Sequence, residues 1–297
     1  MSATADAPTF DLQSHSTCSD GSLSPTEVVG AAAAAGVKLL ALTDHDTVDG
    51  VSEALGAARA FGIGLVPAVE LSAVDAGGSG QDFHVLGYGI DHTDPVLAER
   101  LALWRSDRAE RIERMASKLG DLGFAPDREE LDARLAADRP LGRPHLAAAA
   151  VAGHRARLAP HGLDEPSAFL EAFLVSGCPA YCGRERPTVA EAIAAIHDAG
   201  GVAVWAHPFW DVDEHAAVRD ALARFKADGL DGVEAFYATH DAEQTRLLVR
   251  VAAELDLLTT GSADFHGPAH SRFSRFRAFD LYGCEPRLGA IGEFAAA

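Results

Sequence analysis

Histidines and carboxylates recur beside short apolar segments along this chain of 297 residues. Mixed sets of imidazole and carboxylate suit Mn, Fe or Zn better than Ca or Mg. Gathered in one place without a cation, so many ionisable groups would be costly to bury. Their number exceeds what one tetrahedral site needs, so we expect two or three ions with bridging carboxylates, a centre that activates water for displacement at phosphorus. The candidate ligands are His15, Asp20, His45, Glu70, His84, His207, Asp264 and His266.

The elements that must position these residues are strands alternating with helices. Short apolar runs predict buried strands. A capping box at Ser24 and Glu27 predicts a helix that begins at Pro25 and ends before Gly36, and Asp49 is expected to cap a second helix. Repeated βα units predict a parallel sheet or barrel. The predicted strands span residues 37–43, 63–69, 84–88, 202–206, 230–237 and 257–262.

Each candidate ligand taken alone has a simpler interpretation. A single Asp or His after a strand is commonly a turn former or a helix cap, and Asp46 and Asp49 fit that role. The joint pattern favours metal binding, because most of the candidates follow predicted strands. In parallel βα architectures, functional groups gather at the C-terminal ends of the strands.

A helical stretch interrupts the alternation of strands and helices. From about residue 95 the apolar residues recur at helical spacing, which is typical of a core-facing stripe, and no convincing strand is visible. We therefore predict an α/β barrel with a helical insertion domain. The predicted parts are residues 8–94 for the first part of the barrel, 95–180 for the insertion and 181–297 for the second part.

Arginines in and after this stretch are expected to lie mostly at the surface. Four of them recur every third residue, a step that drifts around a helix instead of lining one face. Arg184 and Arg186 follow the insertion. We expect plain surface arginines there, with lining of the site's mouth as the alternative. The four recurring arginines are Arg105, Arg108, Arg111 and Arg114.

Charge and composition limit the classes of partner. The chain has 25 Lys and Arg against 44 Asp and Glu, a formal net charge of −19. This balance argues against gripping long nucleic acid and against docking on an anionic membrane through a basic face. No apolar run approaches the length of a transmembrane helix, and the N-terminus lacks the pattern of a signal peptide. With four cysteines interpreted as reduced thiols, we expect a cytoplasmic protein.

Six short motifs contain the candidate ligands and their neighbours: DLQSHSTCSDG at 11–21, TDHDT at 43–47, PAVE at 67–70, HVLGYG at 84–89, AHP at 206–208 and SADFHG at 262–267. Together they resemble the motifs of the polymerase and histidinol phosphatase (PHP) family. That resemblance implies a distorted (β/α)7 barrel with up to three metal ions, usually Mn, Fe or Zn. The helical insertion and the stretch GRPH at 142–145 look most like the small phosphoesterases that act on nucleoside 3′,5′-bisphosphates, related members of which trim short RNA from the 5′ end.

The resemblance also implies roles for individual residues. Arg143 and His145 match positions that hold substrate phosphate, although His145 could equally cap a helix or be a buried histidine. Glu234 and His240 fall near the same rim, where we expect structural roles or substrate contacts. The implied catalytic residues are His15, Asp20, His45, Glu70, Asp264 and His266. The implied ligands are His15 and Asp264 for the first metal, Glu70 as a bridge to the second, His84 and His207 to complete the second, and Asp20, His45 and His266 for the third.

The first motif departs from the family pattern at Gln13. The family usually reads Asp-Leu-His-x-His, and here glutamine stands at the first histidine position. Glutamine offers only a neutral amide oxygen, a poorer ligand than imidazole for a borderline metal. We expect the first metal site to be weak, altered in preference or empty, in a centre that remains competent through its other ligands.

The resulting functional prediction is a hydrolase of phosphate monoesters that uses metal-activated water. The expected substrate is a small phosphorylated nucleotide, in particular the 3′-phosphate of a nucleoside 3′,5′-bisphosphate, and the expected ion is Mn²⁺, with Fe²⁺ or Zn²⁺ as alternatives. The open alternatives are 5′→3′ trimming of short RNA, hydrolysis of histidinol phosphate, and a non-catalytic module that binds metal or nucleotide. No protein partner is implied.

Overall fold

A computed structural model describes residues 8–78 and 81–293 of the chain. Two terminal ranges lie outside the described residues, namely 1–7 and 294–297. The first carries part of the expectation of no signal peptide, and the second is the end of the second predicted barrel part. Within the described ranges, seven strands form one sheet and follow one another in chain order. They are β1 (Phe10–Asp11), β2 (Leu39–Leu42), β3 (Gly64–Val74), β4 (Asp82–Tyr88), β5 (Val202–Trp205), β6 (Gly232–Tyr237) and β7 (Leu258–Ser262).

The sheet curls into a nearly closed barrel, as predicted. Across the seam, the backbone N–H of Leu12, just after β1, donates to the carbonyl of Gly261 in β7 at 3.1 Å. Neighbouring strands are parallel except at β4, which runs antiparallel to both β3 and β5. The expectation of parallel pairing is wrong at β4, because the connection from β3 is too short for the crossover that a parallel pair requires.

Helices follow most of the strands, and five of them lie between β4 and β5. The longest, α3, has 27 residues and is rich in Arg and Glu. In the described part of the chain, no helix combines the length and the apolar character needed to cross a membrane. The α-helices are α1 (Pro25–Ala34), α2 (Val51–Phe61), α3 (Pro95–Asp121), α4 (Glu129–Ala136), α5 (Arg143–Leu158), α6 (Pro166–Phe173), α7 (Val189–Asp198), α8 (Pro208–Asp211), α9 (His215–Ala227) and α10 (Ala242–Glu254).

The predicted capping box at the start of α1 is confirmed, whereas the predicted N-cap residue of α2 is wrong. The Ser24 hydroxyl accepts the backbone N–H of Glu27, and the Glu27 carboxylate accepts the backbone N–H of Ser24 at 2.8 Å. Gly50, and not Asp49, occupies the N-cap of α2, where no side chain caps the helix. The turn before α2 runs one residue further than the sequence suggests, so the Asp49 side chain misses the capping position.

Apolar side chains form separate clusters in the barrel and in the segment between β4 and β5. The barrel core includes Leu71, Leu86 and Trp205, all fully buried. A second cluster, formed by α3 to α6, includes Met115 and Phe169. Its separate core supports a helical insertion domain at about 95–180, although the exact boundaries of the three parts stay a prediction.

Candidate metal centre

The predicted ligands meet at one rim of the barrel, around Glu70. This side chain is fully buried in β3. Its Oε1 atom lies 2.7 Å from His84 Nδ1 and 3.2 Å from His207 Nε2. Its Oε2 atom lies 3.0 Å from His15 Nε2 and 3.5 Å from His45 Nδ1. One carboxylate is therefore shared by four imidazoles.

Asp20 and Asp264 extend the cluster on the other side of His15. Asp264 Oδ1 lies 3.1 Å from His15 Nε2 and 3.6 Å from His266 Nδ1. Asp20 carboxylate oxygens lie 3.5 Å from His266 Nε2 and 3.6 Å from His45 Nε2. The His15 ring is stacked between the rings of His45 and His266, at centroid distances of 4.6 and 4.2 Å. All eight predicted ligands thus belong to one connected cluster.

The cluster divides into three overlapping groups whose ligand atoms lie within 4.8 Å of one another. One group contains the ligands implied for the first metal, and another contains those implied for the third metal. His15 belongs to both of these groups. The group around the second metal contains His45, while His207 reaches it through Glu70. The division of ligands among ions therefore stays a prediction. The groups are His15, Glu70 and Asp264; His45, Glu70 and His84; and His15, Asp20, His45 and His266.

The antiparallel strand β4 explains why His84 lies at this rim. The other predicted ligands follow the C-terminal ends of parallel strands or, like Glu70, lie near such an end. In β4 the chain runs the opposite way, so residues near its beginning, such as His84, lie at the same rim. Two ligands beyond strand ends, His207 and Asp264, have left-handed backbone with φ of 31° and 53°. Non-glycine residues take that conformation at a cost of about 1–3 kcal/mol, and the surrounding structure imposes it here.

Charges within the cluster compensate one another. Burial opposes ionisation of Glu70 and Asp20, but the imidazoles around them outweigh burial and hold the pKa of each carboxyl well below its usual range. Burial opposes protonation of His15, yet its close contacts with Asp264 and Glu70 raise its pKa well above the usual value. For His45 burial dominates and lowers the pKa to about 3. Without metal, the cluster thus pairs ionised carboxylates with a protonated His15.

The donor atoms of the cluster fit divalent cations. Four of them are buried and lack an aligned hydrogen-bond partner, although they lie close to other imidazole and carboxylate atoms of the cluster. Buried polar atoms are almost always hydrogen-bonded, so converging atoms that are not so paired require another partner. A cation surrounded by imidazole and carboxylate satisfies all of them together. The four atoms are His15 Nε2, His45 Nδ1, His84 Nδ1 and Asp264 Oδ1.

Beside the metal cluster lies a group of arginines, and two predictions about them are wrong. Arg108 and Arg111 in α3 are buried, with 8% and 4% exposure, instead of lying on a solvated surface. Arg184, expected at the surface, is also buried, whereas Arg186 is exposed. Helix α3 packs this side against the barrel, where buried carboxylates compensate the guanidinium charges.

Asp46 and Asp82 are the carboxylates that compensate these guanidinium groups. Asp46, interpreted from the sequence as a turn residue, is fully buried, and its Oδ2 accepts a short hydrogen bond from Arg108 Nη1. Asp82 accepts one from Arg111 Nη2 and lies 3.8 Å from Arg143 Nη1. The Arg108 guanidinium also donates to the Ser72 hydroxyl at 2.8 Å. More guanidinium than carboxylate charge gathers here.

A small cavity connects the arginines to the metal cluster. Its lining includes four guanidinium groups and the ligand His84. His145 does not line it, because its Nδ1 atom accepts the backbone N–H of Gly142 at 3.1 Å and caps α5. Burial and the nearby charge of Arg134 lower the pKa of His145 to about 4, so it is neutral. The lining residues are Ser72, Asp82, His84, Arg108, Arg111, Ile112, Gly142, Arg143 and Arg184.

Comparison with known proteins identifies the architecture that carries this cluster. The family model of the PHP domain matches residues 11–122. Over 87% of its length the chain is 36% identical to a 5′-3′ exoribonuclease of Haemophilus influenzae, of which the match covers 90%. This chain belongs to the PHP family.

Other PHP relatives point to the same chemistry. A 3′,5′-nucleoside bisphosphate phosphatase of Chromobacterium violaceum is 33% identical over 87% of each chain. A metal-dependent phosphoesterase structure from Bifidobacterium adolescentis superposes with a TM-score of 0.76 at 27% identity, covering 96% of this chain and 94% of that one. The chain is accordingly a hydrolase of the metal-dependent phosphoesterase type.

Two residues that the sequence analysis did not single out, Asp44 and Tyr237, support the cluster of predicted ligands. Asp44, fully enclosed beside the predicted ligand His45, accepts hydrogen bonds from the Ser16 backbone N–H at 2.8 Å and from the Ser19 hydroxyl at 2.6 Å. It thereby fixes the loop between His15 and Asp20. The Tyr237 hydroxyl donates to Asp264 Oδ2 at 2.7 Å. Tyr237 ends the strand predicted at 230–237, and that position was the sequence feature that could have identified it as a neighbour of the ligands.

Glu234 and His240 have structural contacts in the PHP barrel. Glu234 Oε2 accepts the backbone N–H of His207 at 3.0 Å, and its Oε1 accepts the Ser262 hydroxyl at 2.6 Å. Burial raises the pKa of Glu234 to about 8, and cations in the adjacent cluster would favour its ionised form. His240 Nδ1 lies 3.2 Å from the carbonyl of Ala235, and burial lowers its pKa to about 4. Both therefore hold the strand ends that carry the ligands.

Metal binding to the PHP cluster is expected to strengthen as pH rises from about 6 to 8. His15 is protonated in the metal-free cluster because its pKa is raised, and it must lose that proton to ligate a cation. Each proton released adds up to about tenfold in affinity per pH unit. Isothermal titration calorimetry with Mn²⁺, in buffers of different ionisation enthalpy, measures both affinity and proton release. An affinity independent of pH, without proton release, would contradict this prediction.

Proposed function

We propose that this chain hydrolyses the 3′-phosphate of nucleoside 3′,5′-bisphosphates. The observation that carries the proposal is the arginine-lined cavity beside the metal cluster. A bisphosphate carries two phosphates on one ribose, and it requires two neighbouring anion sites. The metal cluster suits the scissile phosphate, and Arg143 with the buried arginines suits the other.

The ions we propose are two or three divalent cations, with Mn²⁺ as the main candidate and Fe²⁺ or Zn²⁺ as alternatives. The eight clustered imidazoles and carboxylates would hold them. Such cations supply positive charge to a phosphate ester and acidify water. The choice among metals follows the mixed oxygen and nitrogen donors of the cluster.

The chain's own residues bind and orient the ester in this proposal. Guanidinium groups can fork onto phosphate oxygens, and burial at Arg108 and Arg184 strengthens such contacts by excluding water. Tyr237 holds the Asp264 carboxylate in place through its hydrogen bond. The acidic surface implied by a net charge of −19 disfavours long polyanions, which leaves small nucleotides as the favoured substrates.

Short RNA with a 5′-phosphate is the second candidate substrate. The 36% identity to a 5′-3′ exoribonuclease favours it. The first nucleotide of such an RNA carries a 5′-phosphate and a 3′-phosphodiester, which have the same relative placement as the two phosphates of a bisphosphate. One site could thus accept both substrates, and they must be compared directly.

Replacing Arg143 by alanine is expected to raise KM for a nucleoside 3′,5′-bisphosphate by about tenfold to hundredfold, with little change in kcat. A charge-assisted hydrogen bond to phosphate contributes about 1.5–3 kcal/mol, and Arg143 is not one of the predicted metal ligands. KM for p-nitrophenyl phosphate, which has one phosphate, should stay the same. Phosphate release in the presence of Mn²⁺ measures both constants, and short 5′-phosphorylated RNA serves as the third substrate.

The matched control for this substitution is Arg155→Ala, since Arg155 lies on the same helix α5 with an exposed side chain. Equal effects of Arg143→Ala on the bisphosphate and on p-nitrophenyl phosphate would reject a second phosphate site. A preference of the wild-type protein for monophosphates would do the same.

A further inference from the structure

Gln13 reaches the place where the ligands of the first metal group converge. Its side chain is fully buried after β1. Its Nε2 atom donates to Glu70 Oε2 at 2.9 Å, and the same oxygen lies 3.0 Å from His15 Nε2. A side chain with both donor and acceptor therefore faces a carboxylate of the metal cluster.

The other end of the Gln13 amide faces Ser262, whose hydrogen bonds show how the amide can turn. Ser262 Oγ lies 2.6 Å from Glu234 Oε1 and 3.3 Å from Gln13 Oε1. A hydroxyl has one proton, and both contacts compete for it. When Glu234 is ionised, as cations in the adjacent cluster would favour, the shorter contact to Glu234 takes that proton. Gln13 Oε1 then faces a lone pair of Ser262. With Glu234 ionised, this amide orientation satisfies Glu70 but leaves Gln13 Oε1 without a donor from Ser262.

A half-turn of the amide exchanges its oxygen and nitrogen and satisfies Ser262. Gln13 Nε2 can then donate to Ser262 Oγ, which still donates to Glu234. The amide oxygen takes the position beside Glu70 Oε2, where two oxygens repel each other unless they share a cation. The turned orientation is thus the one suited to a cluster that holds a cation.

We infer that Gln13 is a metal ligand through Oε1, oriented by Ser262, and that it shifts the first metal site toward oxygen-preferring ions such as Mn²⁺. With His15, Glu70 and Asp264, the site would have one nitrogen donor and three oxygen donors, one amide and two carboxylates. Imidazole in place of Gln13 would favour Zn²⁺, whereas carbonyl and carboxylate oxygens favour Mn²⁺. This inference rests on the metal-dependent function proposed above.

The test compares Mn²⁺ and Zn²⁺ dissociation constants of the full-length protein with those of Gln13 variants. Electron paramagnetic resonance titration gives Mn²⁺ affinity, competition with a chromophoric chelator gives Zn²⁺ affinity, and neither needs substrate. Gln13→Leu should weaken Mn²⁺ binding at one site by about tenfold or more, whereas Gln13→Glu, which keeps an oxygen, should retain it. Gln13→His should raise the preference for Zn²⁺ over Mn²⁺ by about tenfold or more.

Ser262→Ala tests the positioning role of the hydroxyl. It should weaken Mn²⁺ binding by about tenfold, as is usual for groups that orient a ligand. The conservative Ser262→Thr variant keeps a hydroxyl and should restore the affinity. Because Ser262 is buried, circular dichroism of each variant accompanies the titrations.

Two results would overturn the inference. One is an unchanged Mn²⁺ affinity in folded Gln13→Leu, and the other is an unchanged ratio of Zn²⁺ to Mn²⁺ affinity in Gln13→His. If Gln13→Leu does not fold, the ratio of Zn²⁺ to Mn²⁺ affinity in Gln13→His decides whether the inference holds. Wild-type protein that binds no divalent metal would overturn the proposed function together with this inference, whereas metal binding indifferent to residue 13 would overturn only the inference.

Discussion

Replacing Glu70 by glutamine is expected to lower kcat for phosphate release by a factor on the order of 10³. Glu70 is the carboxylate that four imidazoles share, with both oxygens in the cluster. The nearly isosteric amide removes the negative charge and turns an N–H₂ group toward ligand atoms. Phosphate release with Mn²⁺ measures the rate, and mass spectrometry of bound metal measures the expected loss of ions.

Glu27→Gln is the matched control, because it makes the same chemical change in an exposed carboxylate of the α1 capping box. It should leave kcat and metal content unchanged. A Glu70→Gln protein with the wild-type rate and a full complement of metal would contradict the central place given to this carboxylate.

Replacing Arg108 by methionine is expected to lower the free energy of unfolding by about 3–5 kcal/mol. The guanidinium is the partner of the fully buried Asp46, and its removal leaves an uncompensated charge in the interior. Burial raises the pKa of Asp46, but the charges of Arg108 and Arg184, with the Ser72 backbone hydrogen bond, together outweigh burial and lower the pKa overall. That pairing stabilises the fold above the carboxyl's unfolded pKa of about 4 and is lost on acidification below it. Urea unfolding at neutral and acid pH measures both effects.

Arg114→Met, on the same helix but at an exposed position, is the control and should change stability by no more than about 0.5 kcal/mol. The double variant Arg108→Met with Asp46→Asn should recover part of the loss, since it removes the buried charge. An Arg108→Met protein as stable as Arg114→Met would show that the ion pair does not hold α3 on the barrel.

The barrel and the ligand cluster were predictable because both follow from local patterns. Apolar runs marked β2, β3 and β5 to β7 within a few residues, and ligand-type residues marked their ends. The direction of β4 was missed because the strand predicted at 63–69 left room for a crossover before 84, whereas the observed β3 extends to Val74 and leaves only a short connection. His84, which opens its strand while most other ligands follow theirs, was the clue that its strand runs the opposite way.

The arginine cluster was not predictable, because its cause lies in residues distant in sequence. Burial of Arg108 and Arg111 requires compensating charge, which Asp46 and Asp82 supply from other parts of the chain. A helix rich in charged residues normally faces solvent, and nothing within α3 shows otherwise. The Gln13 orientation likewise depends on Ser262, which lies 249 positions away.

The most direct test of a metal-dependent phosphoesterase site here is phosphate release from a nucleoside 3′,5′-bisphosphate by protein stripped of metal and then reloaded with Mn²⁺. Stripped protein should release no phosphate, reloading should restore release of the 3′-phosphate, and reloaded His207→Ala should remain far below wild type. Release by stripped protein at the reloaded rate, or no release after Mn²⁺ occupies the cluster, would contradict the proposed function.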